Sequence, residues 1–282
     1  MASKLIKSLL IGGASLAMIA TGVAFAAGGT SSDYKMEYRD WSFNGPFGTY
    51  DKAAAQRGYQ VYREVCASCH QLKFLSFRHL GDKGAPFYDE NYPNPNDNPL
   101  VKNFAADWTI ETIDTETGDV MERPGVTADK FPPIYPNDAA ARASNGGALP
   151  PELSVIAKAR GGGADYIYNL LVAYEAEIPD DIELLPGLYY NPVMEGGKIA
   201  MAPQLSDGLV EYATQDAFGN PIDAPEATIE QMAADVTEFL AWSADPKLEE
   251  RKSVGFMTML YLLILSGLLW LSYKRVWKNV EH

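Results

Sequence analysis

The stretch VCASCH, residues 65–70, constrains this chain more than any other feature of its sequence. It holds the only two cysteines of the 282 residues, with two residues between them, and a histidine directly follows the second. On one helical turn, this spacing lets Cys66 and Cys69 add to the two vinyl groups of a haem while His70 binds the iron. C-x-x-C-H is the attachment signature of c-type haem, so we predict one covalently bound haem c.

A C-x-x-C pair also suits two other kinds of site. A thioredoxin-type redox pair needs a βαβ context, which the sequence around the motif does not predict. A zinc site needs two further ligands at short spacing, and the chain offers no third cysteine and only His79 and His282 as other histidines. Both alternatives therefore fit the motif less well than haem attachment.

The N-terminus has the pattern of a secretory signal. Lys4 and Lys7 precede a long uncharged run that ends in Ala24-Phe25-Ala26, which matches the A-x-A pattern of a signal-peptidase site. We predict that residues 1–26 are a cleaved signal peptide; the alternative is a retained membrane anchor.

A second apolar segment lies near the C-terminus. Residues 254–273 carry no charge, and as a helix they are long enough to cross the ~30 Å hydrocarbon layer of a membrane. We predict a transmembrane helix over residues 253–274 rather than a buried globular helix. Basic residues flank it on both sides, so the signal peptide decides the orientation. Residues 27–252 then form a periplasmic haem domain and residues 275–282 a cytoplasmic tail, which makes the chain a single-pass protein of the bacterial inner membrane.

The predicted periplasmic domain is strongly acidic. The chain has 23 Lys and Arg against 37 Asp and Glu. Five of the basic residues and one of the acidic residues lie outside residues 27–252, which leaves 18 basic against 36 acidic side chains, a formal charge of −18. Such a surface excludes nucleic acid as a partner and favours a basic protein. Residues 175–183, EAEIPDDIE, hold five carboxylates without a basic residue and are one candidate docking face.

Sequence patterns predict a mainly α fold with long loops. We expect a helix over residues 53–65 that runs into the cysteine motif, a second between 228 and 246 that begins with a capping box, and a shorter third over 165–174. Residues 81–150 are rich in Pro, Gly, Asn and Asp, with few strand-like alternations. Loops of that length are unusual inside a compact domain, and a large buried prosthetic group would organise them.

Haem iron in an electron carrier needs a sixth ligand, and methionine in that position keeps the reduction potential high. Met194 in NPVMEGG and Met201 in IAMAPQL are the two candidates, and Pro203 and the place before the next helix favour Met201. His79 is a further option. The other methionines that we considered lie in the predicted membrane helix, in a charged loop or on an apolar helix face: Met257, Met259, Met121 and Met232.

Seven blocks of sequence together resemble the cytochrome c1 family, the haem subunits of cytochrome bc1 complexes. In chain order they are GPFGTYD, RGYQVYREVCASCH, NGGALPPELSVIAKAR, DYIYNLL, GLYYNPV, IAMAPQL and FLAWSADPKLEERKSVGF. These blocks follow the family's order, and the resemblance extends over essentially the whole chain after residue 26. The resemblance implies a class I cytochrome c-like fold with long loop insertions and one C-terminal transmembrane helix. The additional cysteine pair of some bacterial members is missing, so no extra disulfide is expected.

The resemblance also implies roles for individual residues. Carried over by position, Cys66 and Cys69 attach the haem, and the axial ligands are His70 and Met201. Four further residues match family positions that line the haem: Asn145, Pro151, Arg160 and Tyr166. The position of Arg160 is one from which the family's side chain meets a haem propionate. Without the resemblance, the latter four suit ordinary structural roles, such as a surface charge at a helix end or a proline that starts a helix.

The function implied by the resemblance is electron transfer without bond chemistry in this chain. The Rieske iron–sulfur protein, reduced as cytochrome b oxidises quinol, passes one electron to this haem, which passes it to a basic cytochrome c. The chain is then the redox subunit of a dimeric ubiquinol-cytochrome c reductase in a respiratory or photosynthetic chain. The alternatives are a free-standing membrane-anchored monohaem cytochrome c serving a terminal oxidase, and a scaffold subunit whose haem is only structural.

Overall fold

Helices dominate the fold. The computed structural model describes residues 34–215, 221 and 224–279. The predicted fold class, mainly α and class I cytochrome c-like with long loop insertions and a C-terminal apolar helix, is confirmed. The predicted signal peptide, residues 1–26, lies outside the described residues, as do the last three residues of the predicted tail.

The regular elements within the described residues are seven α-helices and two small antiparallel sheets. The helices are α1 (Lys52–Glu64), α2 (Pro99–Ala106), α3 (Asp138–Ser144), α4 (Ile156–Ala159), α5 (Gly163–Val172), α6 (Ile229–Ala244) and α7 (Leu248–Val276). The strands are β1 (Thr109–Ile113), β2 (Val120–Pro124), β3 (Tyr189–Tyr190) and β4 (Lys198–Ile199). Sheet β1–β2 pairs Ile113 with Val120, and sheet β3–β4 pairs Tyr189 with Ile199.

The three helices expected from the sequence are α1, α6 and α5, each within two residues of its predicted start. The Asp51 carboxylate caps α1 by accepting a hydrogen bond from the Ala54 amide at 3.1 Å. The Thr228 hydroxyl caps α6 by accepting one from the Gln231 amide at 3.2 Å, which is one of the two bonds of the predicted capping box. The Thr228 amide donates to the Glu226 carbonyl oxygen at 3.0 Å. Local capping side chains therefore set where these helices begin.

Helices α1 and α6 pack closely against each other at the centre of the domain. Gly58 makes this approach possible, because a Cβ atom there would lie 1.9 Å from the backbone oxygen of Asp235. Beside it, the Arg57 guanidinium donates two hydrogen bonds of 2.8 Å to the Asp235 carboxylate, which is buried. This ion pair fixes the position of α1 along α6. Because the cysteine motif begins directly after α1, its position is fixed as well.

The long segment of residues 81–150 packs onto α1 through aromatic side chains that belong to the main core of the domain. The ring of Tyr59 contacts Phe87 and Phe104, with centroids 5.4 Å and 4.8 Å away. Phe77 and Phe131 extend the cluster, with a centroid distance of 4.4 Å. Buried aromatic side chains thus organise much of this segment, in addition to the large prosthetic group that we expected to do so.

The hairpin β1–β2 was not expected from the sequence. Its strands have no buried residue, and Ile113, Val120 and Met121 are exposed along with its polar side chains. A strand without a buried face leaves no apolar alternation to read. The sequence pattern therefore did not predict the hairpin, although its strands pair in a regular antiparallel register.

Helix α7 is the one helix in the described part of the chain that is long and apolar enough to cross a membrane, judged by length and composition alone. It contains the predicted span of residues 253–274 but begins five residues earlier, at Leu248. Its first turns belong to the domain: Leu248 is buried, and the Lys252 ammonium donates hydrogen bonds to the backbone oxygens of Phe43 and Gly48 at 2.7 Å and 2.9 Å. Polar contacts thus extend the helix beyond its apolar run.

Candidate functional site

A cavity of about 640 Å³ lies where α1 ends. Helices α4, α5 and α6 and the loops around residues 144–151 and 187–205 form its walls. Its volume falls in the range of roughly 300–1,000 Å³ typical of cofactor sites. The structure brings all eight predicted site residues to this cavity: Cys66, Cys69, His70, Asn145, Pro151, Arg160, Tyr166 and Met201.

The cysteine motif forms a tight turn immediately after α1. Residues Cys66–Ser68 are a 3-10 turn, and the amides of Cys69 and His70 both donate to the Cys66 carbonyl oxygen, at 3.1 Å and 2.9 Å. This turn puts both thiols and the imidazole on the wall of one cavity. Both cysteines are free thiols in this structure. Burial, reinforced by neighbouring Cys69, raises the pKa of the Cys66 thiol to about 12.

The His70 ring is oriented by a backbone carbonyl. Its Nδ1 atom lies 2.8 Å from the oxygen of Pro151. Because a carbonyl only accepts hydrogen bonds, Nδ1 carries the proton, which leaves the lone pair of Nε2 available to a metal. Burial lowers the pKa of His70, opposed by the bond to Pro151, and so favours the neutral ligand form. The Tyr62 hydroxyl fixes the backbone beside it by donating to the His70 carbonyl at 3.1 Å.

Two methionines line the cavity, and the small sheet β3–β4 positions both. Met194 lies in the connection between the strands, and Met201 follows β4 by two residues. The Tyr166 hydroxyl donates a hydrogen bond to the Met194 sulfur at 3.3 Å. Met201 is held through its backbone, whose oxygen accepts a hydrogen bond from the Tyr174 hydroxyl at 2.8 Å. The two thioethers therefore have different surroundings, which the sequence could not have indicated.

The other candidates for the sixth ligand lie away from the cavity. His79 belongs to a 3-10 turn, Phe77–Gly81, and its Nδ1 accepts a hydrogen bond from the Ser76 amide at 3.0 Å. Met232 is fully buried in α6, which agrees with its expected place on an apolar helix face. Met121 is exposed on β2, and the last two are exposed on α7: Met257 and Met259.

The carboxamide of Asn145 anchors the loop that leads to Pro151. Asn145 directly follows α3, and its Nδ2 group donates to the Tyr135 hydroxyl at 3.0 Å and to the Ala141 carbonyl oxygen at 2.7 Å. From there, residues 146–151 run along the cavity to the carbonyl that orients His70. Asn145 thus fixes the backbone of this loop, and Pro151 contributes its backbone carbonyl to the site.

Arg160 is the only Lys, Arg, Asp or Glu side chain among the described residues that line the cavity. It ends α4, is exposed, and forms no ion pair within the described part of the chain. Its near neighbour Lys158, by contrast, is paired with Asp245 at 2.8 Å. In a domain with a large excess of carboxylates, a guanidinium left free at a cavity rim suits an anionic group of a bound molecule.

The rest of the wall is mostly apolar, and sequence reasoning identified little of it as part of a site. The apolar lining residues include Leu153, Ile156, Ile167, Leu170, Leu171, Ile199, Leu205, Val236 and Leu240. The last two are buried residues of α6, where helical periodicity predicts core positions. Nothing in the local sequence around Leu153 or Ile199 indicates that they face a cavity.

The donor set and the wall fit a haem. The cavity offers two thiols, an imidazole with a free Nε2, thioether sulfurs, apolar side chains and one unpaired cation. Within the described residues, no three side chains of His, Cys, Asp and Glu cluster as a bare metal ion would require. A large flat apolar cofactor with an anionic edge matches this combination of groups.

Comparison with known proteins also identifies a family of heme proteins. The Cytochrome C1 family profile matches residues 41–280. The mitochondrial cytochrome c1 heme protein of Saccharomyces cerevisiae is 47% identical over 232 residues, which cover 82% of this chain and 68% of that protein. Cytochrome c1 of Rhodospirillum rubrum is 35% identical over 285 residues, 94% of this chain and 97% of that protein.

A longer relative matches over part of its length. Cytochrome b/c1 of Bradyrhizobium diazoefficiens is 39% identical over 288 residues, which cover 94% of this chain. The chain spans only 39% of the length of that relative. The family profile and these relatives match most of the sequence, and its cavity gathers the CASCH motif and the other predicted site residues. The chain therefore belongs to the cytochrome c1 family.

Proposed function

We propose that this chain holds one haem c through thioether bonds to Cys66 and Cys69, and that it transfers electrons as the haem subunit of a cytochrome bc1 complex. His70 and Met201 are the proposed axial ligands. The observation that carries the proposal is the 2.8 Å contact between His70 Nδ1 and the Pro151 carbonyl, in a cavity lined by both thiols. Relatives named as cytochrome c1 heme proteins support the cofactor.

When bound, the haem supplies a reversible one-electron change at its iron. The residues of this chain set the conditions for that change. The Pro151 carbonyl holds the proton of His70 on Nδ1, which presents Nε2 to the metal. The apolar wall excludes water, and a soft thioether from Met201 favours the reduced state. The guanidinium of Arg160 at the cavity would bind a haem propionate, while Asn145 and Tyr166 hold neighbouring walls.

The partners that we propose follow from family membership. A relative named cytochrome b/c1 supports association with cytochrome b. We propose the Rieske iron–sulfur protein as electron donor, a basic cytochrome c as acceptor, and a dimeric ubiquinol-cytochrome c reductase as the assembly. The carboxylates of Glu177, Asp180, Asp181 and Glu183 are exposed, and the chain runs from them to Gly187 and Tyr189 on the cavity wall. An acidic run next to the cavity supports a basic acceptor.

We propose that α7 anchors the chain in a bacterial inner membrane with the haem domain in the periplasm. The length and composition of α7 support the anchor, and the predicted signal peptide supports the orientation. Near the far end of α7 stand Trp270, Tyr273 and Trp277, all exposed. Aromatic side chains at that depth suit the inner membrane interface.

Mild solubilisation of the membranes tests this function against its alternatives. The chain should co-purify with a b-type cytochrome and an iron–sulfur protein, and quinol should reduce its haem in that preparation. Purification free of both partners would favour a free-standing carrier for a terminal oxidase. A complete complex whose c-type haem does not respond to quinol would favour a structural haem.

A further inference from the structure

The loop of residues 43–49, FNGPFGT, lies against the start of α7 and presents an aromatic ring outward. The Phe47 side chain is 72% exposed. Its ring packs edge-on against Phe256 of α7, with the centroids 5.6 Å apart, and Phe256 is itself 53% exposed. Two adjoining phenylalanines with that much exposed apolar surface indicate a face that contacts another apolar surface.

The loop is held in place by hydrogen bonds. The Thr49 amide donates to the Ser42 oxygen at 3.1 Å, which closes the loop. The Lys252 ammonium donates to the carbonyl oxygens of Phe43 and Gly48, which ties both ends of the loop to α7. The exposure of Phe47 is therefore built into the fold and does not follow from a loosely attached loop.

The depth of this loop follows from the geometry of α7. The uncharged run of residues 254–273 is about 30 Å long at 1.5 Å per residue, which matches the hydrocarbon layer. Lys252 then stands at the outer boundary, and Phe256 lies about 6 Å deeper. Because Phe47 contacts Phe256, its ring reaches the layer roughly 5–10 Å deep in which interfacial apolar side chains are buried.

The composition of the loop suits a membrane surface. Residues 43–49 contain no charged side chain, although the surrounding domain is strongly acidic. The nearest carboxylates along the chain, Asp40 and Asp51, stand outside the loop. A groove of about 260 Å³ between the loop and α7 has Pro46 and Met257 among its lining residues. Its two charged lining residues, Glu249 and Lys252, precede the uncharged run of α7. The surface beside the membrane helix is therefore apolar where contact with lipid requires it.

We propose that the loop of residues 43–49 is a second membrane contact of this chain, in which Phe47 inserts beside Phe256 into the boundary between lipid headgroups and acyl chains. The occupant of this surface is phospholipid, since the apolar face continues directly into that of the membrane helix. This inference rests on the proposed insertion of α7 in the membrane.

Photo-crosslinking in the membranes of the producing cells tests the contact. The full-length chain carries p-benzoyl-phenylalanine at position 47, and exposed Phe47 leaves room for the larger ring. The same group at Leu262, in the middle of α7, reports whether that helix is in the bilayer. The group at Val120, which is 65% exposed on β2, reports the background of a site in water. After illumination, mass spectrometry distinguishes lipid adducts from protein adducts.

We expect phospholipid adducts at position 47 at a yield similar to that at position 262 and at least tenfold above that at position 120. Adducts at position 47 that are mainly to another protein chain would overturn the inference, as would a yield no higher than at position 120. If position 262 also fails to capture lipid, the proposed membrane anchoring fails with it. If only position 47 fails, the anchor stands and the second contact does not.

Discussion

The hydroxyl of Tyr166 donates a hydrogen bond to the sulfur of Met194 across 3.3 Å. Tyr166 belongs to α5 and Met194 to the connection between β3 and β4, so this bond joins two walls of the cavity proposed to hold the haem. Met201 lines the same cavity but is tied to its surroundings through its backbone oxygen. This hydrogen bond gives the Met194 sulfur a structural role, which supports Met201 as the proposed iron ligand.

Replacement of the proposed ligand should change the haem potential. In Met201→Leu, the iron loses a soft donor that favours its reduced state, so the reduction potential should fall by a sizeable part of the ~0.8 V range that axial ligands span. Electron arrival from the Rieske centre then becomes unfavourable, and quinol-driven turnover should stop while the haem stays attached. A spectroscopic redox titration of the purified complex measures this change.

Met194→Leu is the matched control for that experiment. Leucine keeps most of the apolar volume and loses only the acceptor for the Tyr166 hydroxyl. The expected change in potential is small compared with that of Met201→Leu. If the Met194 variant loses the high potential and the Met201 variant keeps it, the ligand assignment is reversed.

Haem attachment should depend on the two thiols alone. The double variant Cys66→Ala/Cys69→Ala leaves the chain without a cysteine. Any haem that it still binds should be extracted by acid acetone, whereas haem in the unaltered chain should resist extraction because of its thioether bonds. Staining of denaturing gels for covalent haem checks the result. Haem that remains attached in the double variant would refute the assignment of the motif.

The contact between Arg57 and Asp235 should be a major contributor to stability. Asp235 is 1% exposed, so Arg57→Ala leaves a buried carboxylate without its partner. Loss of one member of a buried pair costs about 3–5 kcal/mol. Because Arg57 is partly exposed, we expect about 3 kcal/mol, which lowers the melting temperature by roughly 6–12 °C in a domain of this size. Thermal unfolding followed by circular dichroism measures it.

Arg63→Ala provides the comparison for the buried pair. The ion pair of Arg63 with Asp107 spans 2.6 Å, but both side chains are more than one-third exposed. Water screens such a pair, so its loss should cost less than about 1 kcal/mol. If Arg57→Ala and Arg63→Ala lose equal amounts of stability, burial does not determine the contribution of these ion pairs.

The sequence was most informative where a local pattern maps directly onto chemistry or length. The CASCH motif located the two thiols and the imidazole, the uncharged run of 254–273 located the core of α7, and helical periodicity with capping residues located α1, α5 and α6. Each of these signals is contained within about twenty residues. Long-range contacts were not needed to recognise any of them.

What the sequence could not predict depends on contacts between distant residues. The carbonyl that orients His70 comes from Pro151, 81 positions away. Lys252 extends α7 into the domain by binding carbonyls more than 200 positions earlier. The aromatic core that holds residues 81–150 against α1 has no periodic pattern. The implied roles of Asn145, Pro151, Arg160 and Tyr166 came only from the family resemblance.

Electron transfer to a basic cytochrome c should slow as ionic strength rises. Opposite charges steer the encounter, and salt screens them over about 10 Å at 0.1 M. If residues 175–183 form the docking face, neutralising their carboxylates should flatten this dependence. The variant carries the changes Glu175→Gln, Glu177→Gln, Asp180→Asn, Asp181→Asn and Glu183→Gln. Stopped-flow oxidation of the reduced complex at several salt concentrations measures it.

A second charge variant separates local steering from net charge. Glu111, Glu116 and Glu122 are exposed on the hairpin β1–β2. Their replacement by Gln removes negative charge from another region of the domain and should leave most of the salt dependence. An unchanged salt profile in the variant of residues 175–183 would place the docking face elsewhere.

The membrane helix should be dispensable for haem ligation. A stop codon after Lys252 removes the apolar part of α7, which contributes no residue to the haem cavity. It keeps buried Leu248, the 2.7 Å bond from Arg251 to Asp245, and the bonds of Lys252 to the loop of residues 43–49. The shortened chain should appear in the periplasm as a soluble acidic cytochrome with an unchanged low-spin haem spectrum.

A stop codon after Lys247 should behave differently, because it removes Leu248, Arg251 and Lys252 together. Burial of one leucine contributes about 1.5–3 kcal/mol, and the lost hydrogen bonds of the two basic side chains add to that cost. This shorter form should unfold at a lower temperature than the form that ends at Lys252, with the same haem spectrum while folded. Equal melting temperatures would mean that the first turns of α7 are not part of the domain. Loss of the low-spin spectrum in the longer form would place the domain boundary beyond Lys252.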